Sequence, residues 1–237
     1  MTMRDDASPF FIAPHRFDAP NGTGPVFNHR HELVLEPGEL VLGQHRLHTA
    51  GYLLGPTEAW QCWALPGLVA VTLTDRRLAY VGNSSRLSVV GGTDAPRHRR
   101  LPGLSGLVSS QVRWQWPARL DVQPAGSGQP GQLLVVCDAL RTIHQPALSL
   151  THPAGVTGLA RQLRRAVATF RLTHPDVVEL SPPERDVLML RAGAGPLTAD
   201  GQVTLPGSLP VEFCSRDDYY RPDQAWPDQA ADAAAGR

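Results

Sequence analysis

The sequence predicts a β-rich α+β fold in which about seven antiparallel strands precede one amphipathic helix. Glycine and proline number 22 each among 237 residues, which favours turns and short strands over long helices. Short apolar runs recur between turn residues from Glu39 onward. A segment with helical periodicity follows these runs, and together the three observations predict the fold class.

The predicted strands are β-favouring runs of strand length, bounded by turn residues. The clearest alternation places Val108, Val112, Trp114 and Trp116 on one face of a half-buried strand. The spacing of the runs is typical of an antiparallel meander. The runs are residues 39–47, 59–65, 68–73, 77–81, 107–116, 119–123, 132–138 and 147–150.

The helix is predicted from apolar residues that recur at helical spacing between Val156 and Phe170. Thr151 is the expected N-cap, and Pro175 ends the helix because proline excludes helical geometry from the residue before it. Such a helix of about 20 residues spans roughly 30 Å, enough to cover the open end of a small barrel. Three of its arginines are expected on the solvated face: Arg161, Arg164 and Arg165.

Two segments give the sequence a family resemblance. The stretch VTLTDRRLAYV at 71–81 resembles the hairpin of bacterial pleckstrin-homology-like (PH-like) and GRAM-like domains, where one strand ends at Leu-Thr and the next opens with Arg-Leu. The stretch GLARQLRRAVATF at 158–170 is similar to the helix that plugs the barrel of that fold. The resemblance spans residues 39–172. It implies a PH-like split barrel capped by the helix, in a non-enzymatic binding module of a bacterial protein.

The chain is predicted to divide into three parts. Residues 1–32 contain several prolines without a sustained period and are expected to form an extended N-terminal arm. Residues 33–175 are expected to form the PH-like domain. Residues 176–237 are expected to form an extended tail that becomes disordered toward its acidic, alanine-rich end.

Composition excludes several classes of protein. Lysine and arginine together number 22, as do aspartate and glutamate, so no global field attracts the chain to nucleic acid or to an anionic membrane. No apolar stretch is long enough to predict a transmembrane segment. The cysteines Cys62, Cys137 and Cys214 form no CxxC pair, so neither a disulfide framework nor a zinc site is indicated. We therefore expect a cytoplasmic protein with no metal or other cofactor.

Adjacent arginines at a predicted strand corner form the first candidate binding site. Arg76 and Arg77 can bind a phosphate or a carboxylate in a bidentate manner. The structural alternative is that Thr74 and Asp75 form the turn while an arginine stem lies along the sheet edge.

The run RHRR at 97–100 is the second candidate, with Arg97, Arg99 and Arg100 as possible contacts for an anionic group. Without interleaved aromatic residues it is weak evidence for nucleic-acid binding, and the alternative is a solvated loop.

No catalytic residue is predicted. The stretch GSGQPG at 126–131 matches GxGxxG, but a strand follows it, so a hairpin loop is expected instead of a dinucleotide site. The chain has no GxSxG elbow. Asp138, His144 and His152 could in principle make a catalytic triad, but the sequence does not indicate that they lie close together. An enzyme with a small-molecule pocket is therefore the third choice of function.

The predicted function is docking of a protein or peptide partner, either along a sheet edge or between an edge strand and the helix. The proline-rich terminal segments are alternative occupants of that groove in cis. A second alternative is peripheral binding to anionic lipid through Arg76, Arg77 and the run at 97–100. Core packing accounts for most of the paired tryptophans, although an exposed ring can anchor a partner; these are Trp60, Trp63, Trp114 and Trp116.

Overall fold

A computed structural model describes residues 24–57, 59–65, 67–83, 88–89, 107–126, 128–139, 143–193 and 201–211. The strands in this part of the chain are β1 Val41–Leu54, β2 Ala59–Ala64, β3 Val69–Thr74, β4 Arg77–Asn83, β5 Ser88–Val89, β6 Leu107–Arg113, β7 Pro117–Gln123, β8 Gly131–Cys137, β9 Gln145–His152 and β10 Gln202–Thr204. The helices are α1 Thr157–Thr173 and α2 Pro182–Ala192.

The β-rich α+β class and the order of strands before a helix are confirmed. Antiparallel neighbours follow the order β10-β7-β8-β9-β1-β3-β4-β6, with β2 beside β1 and β5 beside β2. Every predicted run corresponds to a strand, and the sheet has ten strands instead of about seven. Eight of these strands in the described residues match predicted runs, and the other two, β5 and β10, are too short to show a period.

The predicted hairpin is also confirmed. β3 ends at Thr74, β4 begins at Arg77, and Leu73 faces Leu78 across the pair.

β1 changes partners along its length. Its residues 48–54 pair with β9 on one side, and residues 50–54 pair with β2 on the other. Its residues 41–47 pair with β3. In the part of the chain that the structure describes, no strand pairs with the other side of residues 41–47. We call this side the β1 edge.

The predicted apolar face of α1 packs onto the sheet and completes the core. Val156, Leu163 and Val167 are each at most 1% exposed. The predicted end of the helix is confirmed, because α1 ends at Thr173. The predicted N-cap is wrong: Thr151 lies in β9 and pairs with β8 and β1, so the helix begins only after the following turn.

One arginine of α1 is not on the solvated face that the pattern predicts. Arg161 and Arg165 are exposed, but Arg164 is 3% exposed, and its Nη2 donates to the carbonyl of Gly193 at 3.1 Å. The cause is α2, which packs against α1 and follows it after a short connection. A pattern that counts arginine as polar cannot reveal a second helix on that side.

Two predicted extended segments contain ordered structure where the chain is described. Near the N-terminus, Phe27 bridges to Leu33. In the predicted tail, α2 begins at a capping box of Ser181 and Glu184. β10 then pairs with β7, placing Val203 opposite Leu120. Runs of three to five apolar residues are too short for a period, which explains why the sequence indicated an extended tail; the domain limits stay a prediction.

Residues 201–211, called here the C-terminal segment, close one end of the sheet. Val203, Leu205 and Val211 are each at most 1% exposed. The amide of Val122 donates to the carbonyl of Gly201 at 2.6 Å, and that of Leu205 donates to the carbonyl of Ala118 at 2.8 Å. The segment therefore belongs to the same hydrophobic core as the strands before it.

A buried arginine joins this segment to the helix. Arg171 of α1 is 0% exposed, and its Nε donates to the carbonyl of Trp114 at 3.0 Å. Its Nη2 donates to Pro117, and its Nη1 donates to both Leu205 and Pro206, each at 2.7 Å. Burial lowers the pKa of Arg171 to about 10, so it is still charged at neutral pH. One guanidinium thus holds α1, the β6–β7 turn and the C-terminal segment together.

We expect Arg171→Met to lower the free energy of unfolding by about 3 kcal/mol or more, because buried carbonyls lose their charged donor. Urea denaturation followed by circular dichroism measures the change. Arg165→Met, on the exposed side of the same helix, is the control and should stay within about 0.5 kcal/mol of the wild type. Similar losses in both variants would contradict the role given to Arg171.

Candidate functional site

The structure places the two candidate arginines of the hairpin corner in different surroundings. Arg77 is 3% exposed, and its Nε and Nη2 donate to the two carboxylate oxygens of Glu39 at 2.8 and 2.7 Å. Its Nη1 donates to Oε1 of Gln111 at 2.7 Å. The hydroxyl of Thr74 donates to Glu39 as well, at 2.7 Å. The guanidinium of Arg77 therefore fastens the segment before β1 to the corner between β3 and β4.

Glu39 is ionised in this pair. Burial by itself raises the pKa of the carboxyl, but hydrogen bonds from Arg77 and Thr74 outweigh burial, and the pKa is lowered overall. The corner is thus a buried, bidentate ion pair with its charges balanced.

Arg76 remains partly accessible to solvent. Its side chain is 30% exposed, with Nη1 at 3.7 Å from Oε2 of Glu36. Glu36 also lies 2.6 Å from Nη2 of Arg113 and 3.2 Å from Nη1 of Arg77. Three arginines thus share Glu36, and an incoming anion would compete with its carboxylate. A binding role for Arg76 and Arg77 stays a prediction.

The second predicted cluster, Arg97, Arg99 and Arg100, lies outside the described residues. The role of this cluster in binding therefore also stays a prediction.

We expect Glu39→Gln to lower the free energy of unfolding at pH 7 by roughly 3 kcal/mol, because Arg77 loses the buried carboxylate to which its Nε and Nη2 donate. Because the pKa of Glu39 is lowered in the folded protein, its ionised form stabilises the fold, and this contribution to the free energy of unfolding decreases in acid. The wild type has the full contribution above the ordinary value of 4.5 and loses it as pH falls through the lower pKa of the folded state. The difference between the two proteins should therefore shrink in acid.

Urea titrations from pH 7 down to about pH 3 measure both quantities. Glu179→Gln, at an exposed position, is the control and should follow the wild type. A gap between wild type and Glu39→Gln that stays constant over this range would contradict the account of the ion pair.

The β1 edge is a second candidate site, and it lies beside α1. β9 leaves β1 where Thr151 pairs with His48, and α1 begins at Thr157, so the helix follows on the side from which β9 departs. Nε2 of His45 lies 3.1 Å from Oε1 of Gln162 on the helix. We call the surface between the unpaired side of β1 and this contact with the helix the groove.

Apolar residues stand at the start of this edge. Leu40, Val41 and Leu42 are 64%, 46% and 48% exposed. Leu42 falls at a register shift, where β1 has an extra residue relative to β3. Three consecutive apolar residues exposed at a strand terminus are typical of a contact surface.

The groove is basic. Residues 40–57 and 143–175 contain no aspartate or glutamate, although acidic and basic residues balance in the whole chain. The exposed arginines are Arg46 on the strand and Arg161 and Arg165 on the helix, and His48 on the strand is exposed too. In the described part of the chain, no carboxylate pairs with Arg46, Arg161 or Arg165.

Sequence reasoning anticipated a groove between an edge strand and the helix, but it named other residues as binding residues: Arg76, Arg77, Arg97, Arg99 and Arg100. The overlooked signal was the absence of acidic residues around β1 and α1, which was already visible in the sequence. The prediction that a terminal segment of this chain occupies the groove is not tested. At another place in the sheet, the C-terminal segment does pair with the edge of a strand, β7.

The tryptophans and the cysteines that the sequence singled out are buried where their side chains are described. Trp63, Trp114 and Trp116 are at most 1% exposed, whereas the side chain of Trp60 lies outside the described residues. Cys137 is buried, and burial raises the pKa of its thiol. Among the residues with described positions, no group of three or more metal-ligating side chains occurs, and no helix is long and apolar enough to span a membrane.

Two residues of the triad considered in the sequence, Asp138 and His152, contact groups outside it. Asp138 accepts a hydrogen bond from Nε2 of Gln145 at 2.6 Å, and Nδ1 of His152 accepts one from the amide of Ala154 at 3.1 Å. The glycine-rich loop joins β7 to β8, as the hairpin prediction requires.

Hydrogen exchange tests the β1 edge without any partner. Amides in residues 50–54, where β1 is paired on both sides, should be protected. In residues 41–47, the amides that point away from β3 should exchange much faster. Exchange monitored by NMR resolves the two sets, and uniform strong protection along the whole of β1 would show that the edge is covered.

No protein family model matches the chain, and no curated protein matches it. Among solved structures, the chain is similar to the Vps36 N-terminal PH domain, with 9% sequence identity and a TM-score of 0.39. The match covers 62% of this chain and 92% of that one. It carries no argument about ligand or partner, which must come from the residues of this chain.

Proposed function

We propose that this protein is a binding module that docks an extended segment of a protein partner on the β1 edge. The observation that supports the proposal is the one-sided pairing of residues 41–47 among the described residues. An unpaired strand edge presents a row of amide and carbonyl groups that an incoming strand can hydrogen bond. The main chain supplies affinity in this mode of binding, and the surrounding side chains supply specificity.

The exposed apolar residues support the same choice. An incoming segment that covers Leu40, Val41 and Leu42 removes apolar surface from water, which favours association. α1 limits the space on one side through its contact between Gln162 and His45. An extended backbone fits beside such a strand more readily than a bulky folded surface.

Lipid binding through the hairpin corner is the less favoured alternative. The guanidinium of Arg77 is already engaged by Glu39, and that of Arg76 lies near Glu36. A phosphate at this corner would have to displace a carboxylate, and breaking the buried pair costs several kcal/mol.

Peptide titration of the isotope-labelled full chain tests the proposal. We expect at least one peptide from a panel of strand-forming sequences to shift the amide signals of residues 41–47 and to slow their exchange. Leu42→Asp should abolish these changes because it puts a charge into the docking surface. Ile143→Asp, at a residue 74% exposed in a loop, is the control and should bind like the wild type.

Two outcomes would contradict the docking function. One is a panel in which no peptide changes the signals of residues 41–47. The other is binding to phosphatidylserine vesicles, with signal changes at Arg76 and none along the β1 edge, which would favour the lipid alternative.

A further inference from the structure

We infer that the β1 edge selects an acidic segment, whose carboxylates meet arginines on both sides of the added strand. The inference rests on the proposed function and names the chemistry of the partner. It follows from which residues stand on the two faces of β1 and from how their charges are balanced.

The first face is the one toward α1. Side chains of a strand alternate between two faces, so every second residue of an added strand points to the helix. On β1, His45 points this way, with Nε2 at 3.1 Å from Oε1 of Gln162. Arg161 and Arg165 are exposed one residue before and three residues after Gln162. Gln162, Arg165 and Arg161 form one exposed row on the helix, in which neighbours are three and four residues apart, and helix-facing side chains of an incoming strand approach this row.

The second face is the opposite side of the sheet. Gln44, Arg46 and His48 are exposed there, alternating with the more buried Gly43, His45 and Leu47. The other half of the incoming side chains thus meets a further guanidinium and an imidazole. Acidic residues are favoured on both faces of the partner strand, whereas basic residues meet like charge on both.

Charge balance separates these arginines from the others. Arg76, Arg77 and Arg113 share Glu36 and Glu39, as described above. Arg46, Arg161 and Arg165 have no carboxylate partner among the described residues, and no acidic residue occurs in 40–57 or 143–175. A partner's carboxylates would therefore form new ion pairs without first breaking existing ones.

The arrangement favours a peptide over a membrane. Arg46 and the helix arginines, Arg161 and Arg165, stand on opposite faces of the β1 edge, with backbone groups between them. A bilayer surface is planar and contacts one face at a time, whereas a strand inserted along the edge reaches both.

The test uses three peptides of about ten residues that differ only in charge. The first repeats Glu-Glu-Val-Val, so that both faces of an added strand carry acid, and the others replace glutamate by glutamine or by lysine. The full chain, labelled for NMR, is titrated with each peptide. We expect the glutamate peptide to shift the signals of residues 41–47 with an affinity about tenfold above the glutamine peptide, and the lysine peptide not to bind.

Matched variants assign the selectivity to the named residues. The double variant Arg161→Gln/Arg165→Gln should remove most of the preference for the glutamate peptide, with Arg46 retaining the rest, and leave binding of the glutamine peptide unaffected. The control, Arg30→Gln/Arg185→Gln, removes the same charge at exposed positions elsewhere and should bind like the wild type. Binding of the glutamate peptide should weaken as salt is added, because exposed charges are screened.

The outcomes separate the two proposals. Equal binding of all three peptides at residues 41–47 would leave strand docking standing and overturn the acidic selectivity. Equal loss in the variant and its control would overturn the role of Arg161 and Arg165. If no peptide changes the signals of residues 41–47, the docking function itself fails. If phosphatidylserine vesicles change those signals in place of the peptides, the ligand is a membrane and the inference is wrong.

Discussion

The fold depends on satisfying one buried charge. A guanidinium removed from water must place its N–H groups on acceptors, and Arg171 does so on four backbone carbonyls. Those carbonyls belong to the β6–β7 turn and to the C-terminal segment. The requirement therefore fixes where α1 lies over the sheet. The groove between α1 and β1 inherits its geometry from that placement.

Arginine has three different roles in this chain, and charge balance distinguishes them. Arg171 binds carbonyls and Arg77 is neutralised by Glu39, whereas no carboxylate of the described residues pairs with the exposed Arg161 and Arg165. Arg171 and Arg77 are buried and hydrogen bonded, so both contribute to the stability of the fold. Arg161 and Arg165 are exposed on the helix. The proposed recognition is therefore assigned to them and not to the adjacent pair Arg76 and Arg77.

Sequence predicted what depends on a repeated local pattern. The eight strand runs and the apolar face of α1 repeat over enough residues to show their period, and both appear in the structure. Arg164 and Arg171 were counted as polar because their acceptors lie on distant segments. The partner of Arg77 is 38 residues away, so adjacency with Arg76 was the more visible feature. The groove was anticipated in general form, but its basic character depends on bringing two acid-free stretches together in space.

The pairing of β10 with β7 has a consequence for synthesis of the protein. Gln202 reaches Asp121 across 81 residues of chain, so β7 is complete long before its outer partner leaves the ribosome. Until then the nascent sheet exposes a strand edge with Leu120 and Val122 beside it, and Arg171 lacks two of its acceptors. An exposed edge of this kind invites pairing with other chains. The C-terminal segment is therefore synthesised last among the strands of the described sheet, and its pairing covers the edge of β7.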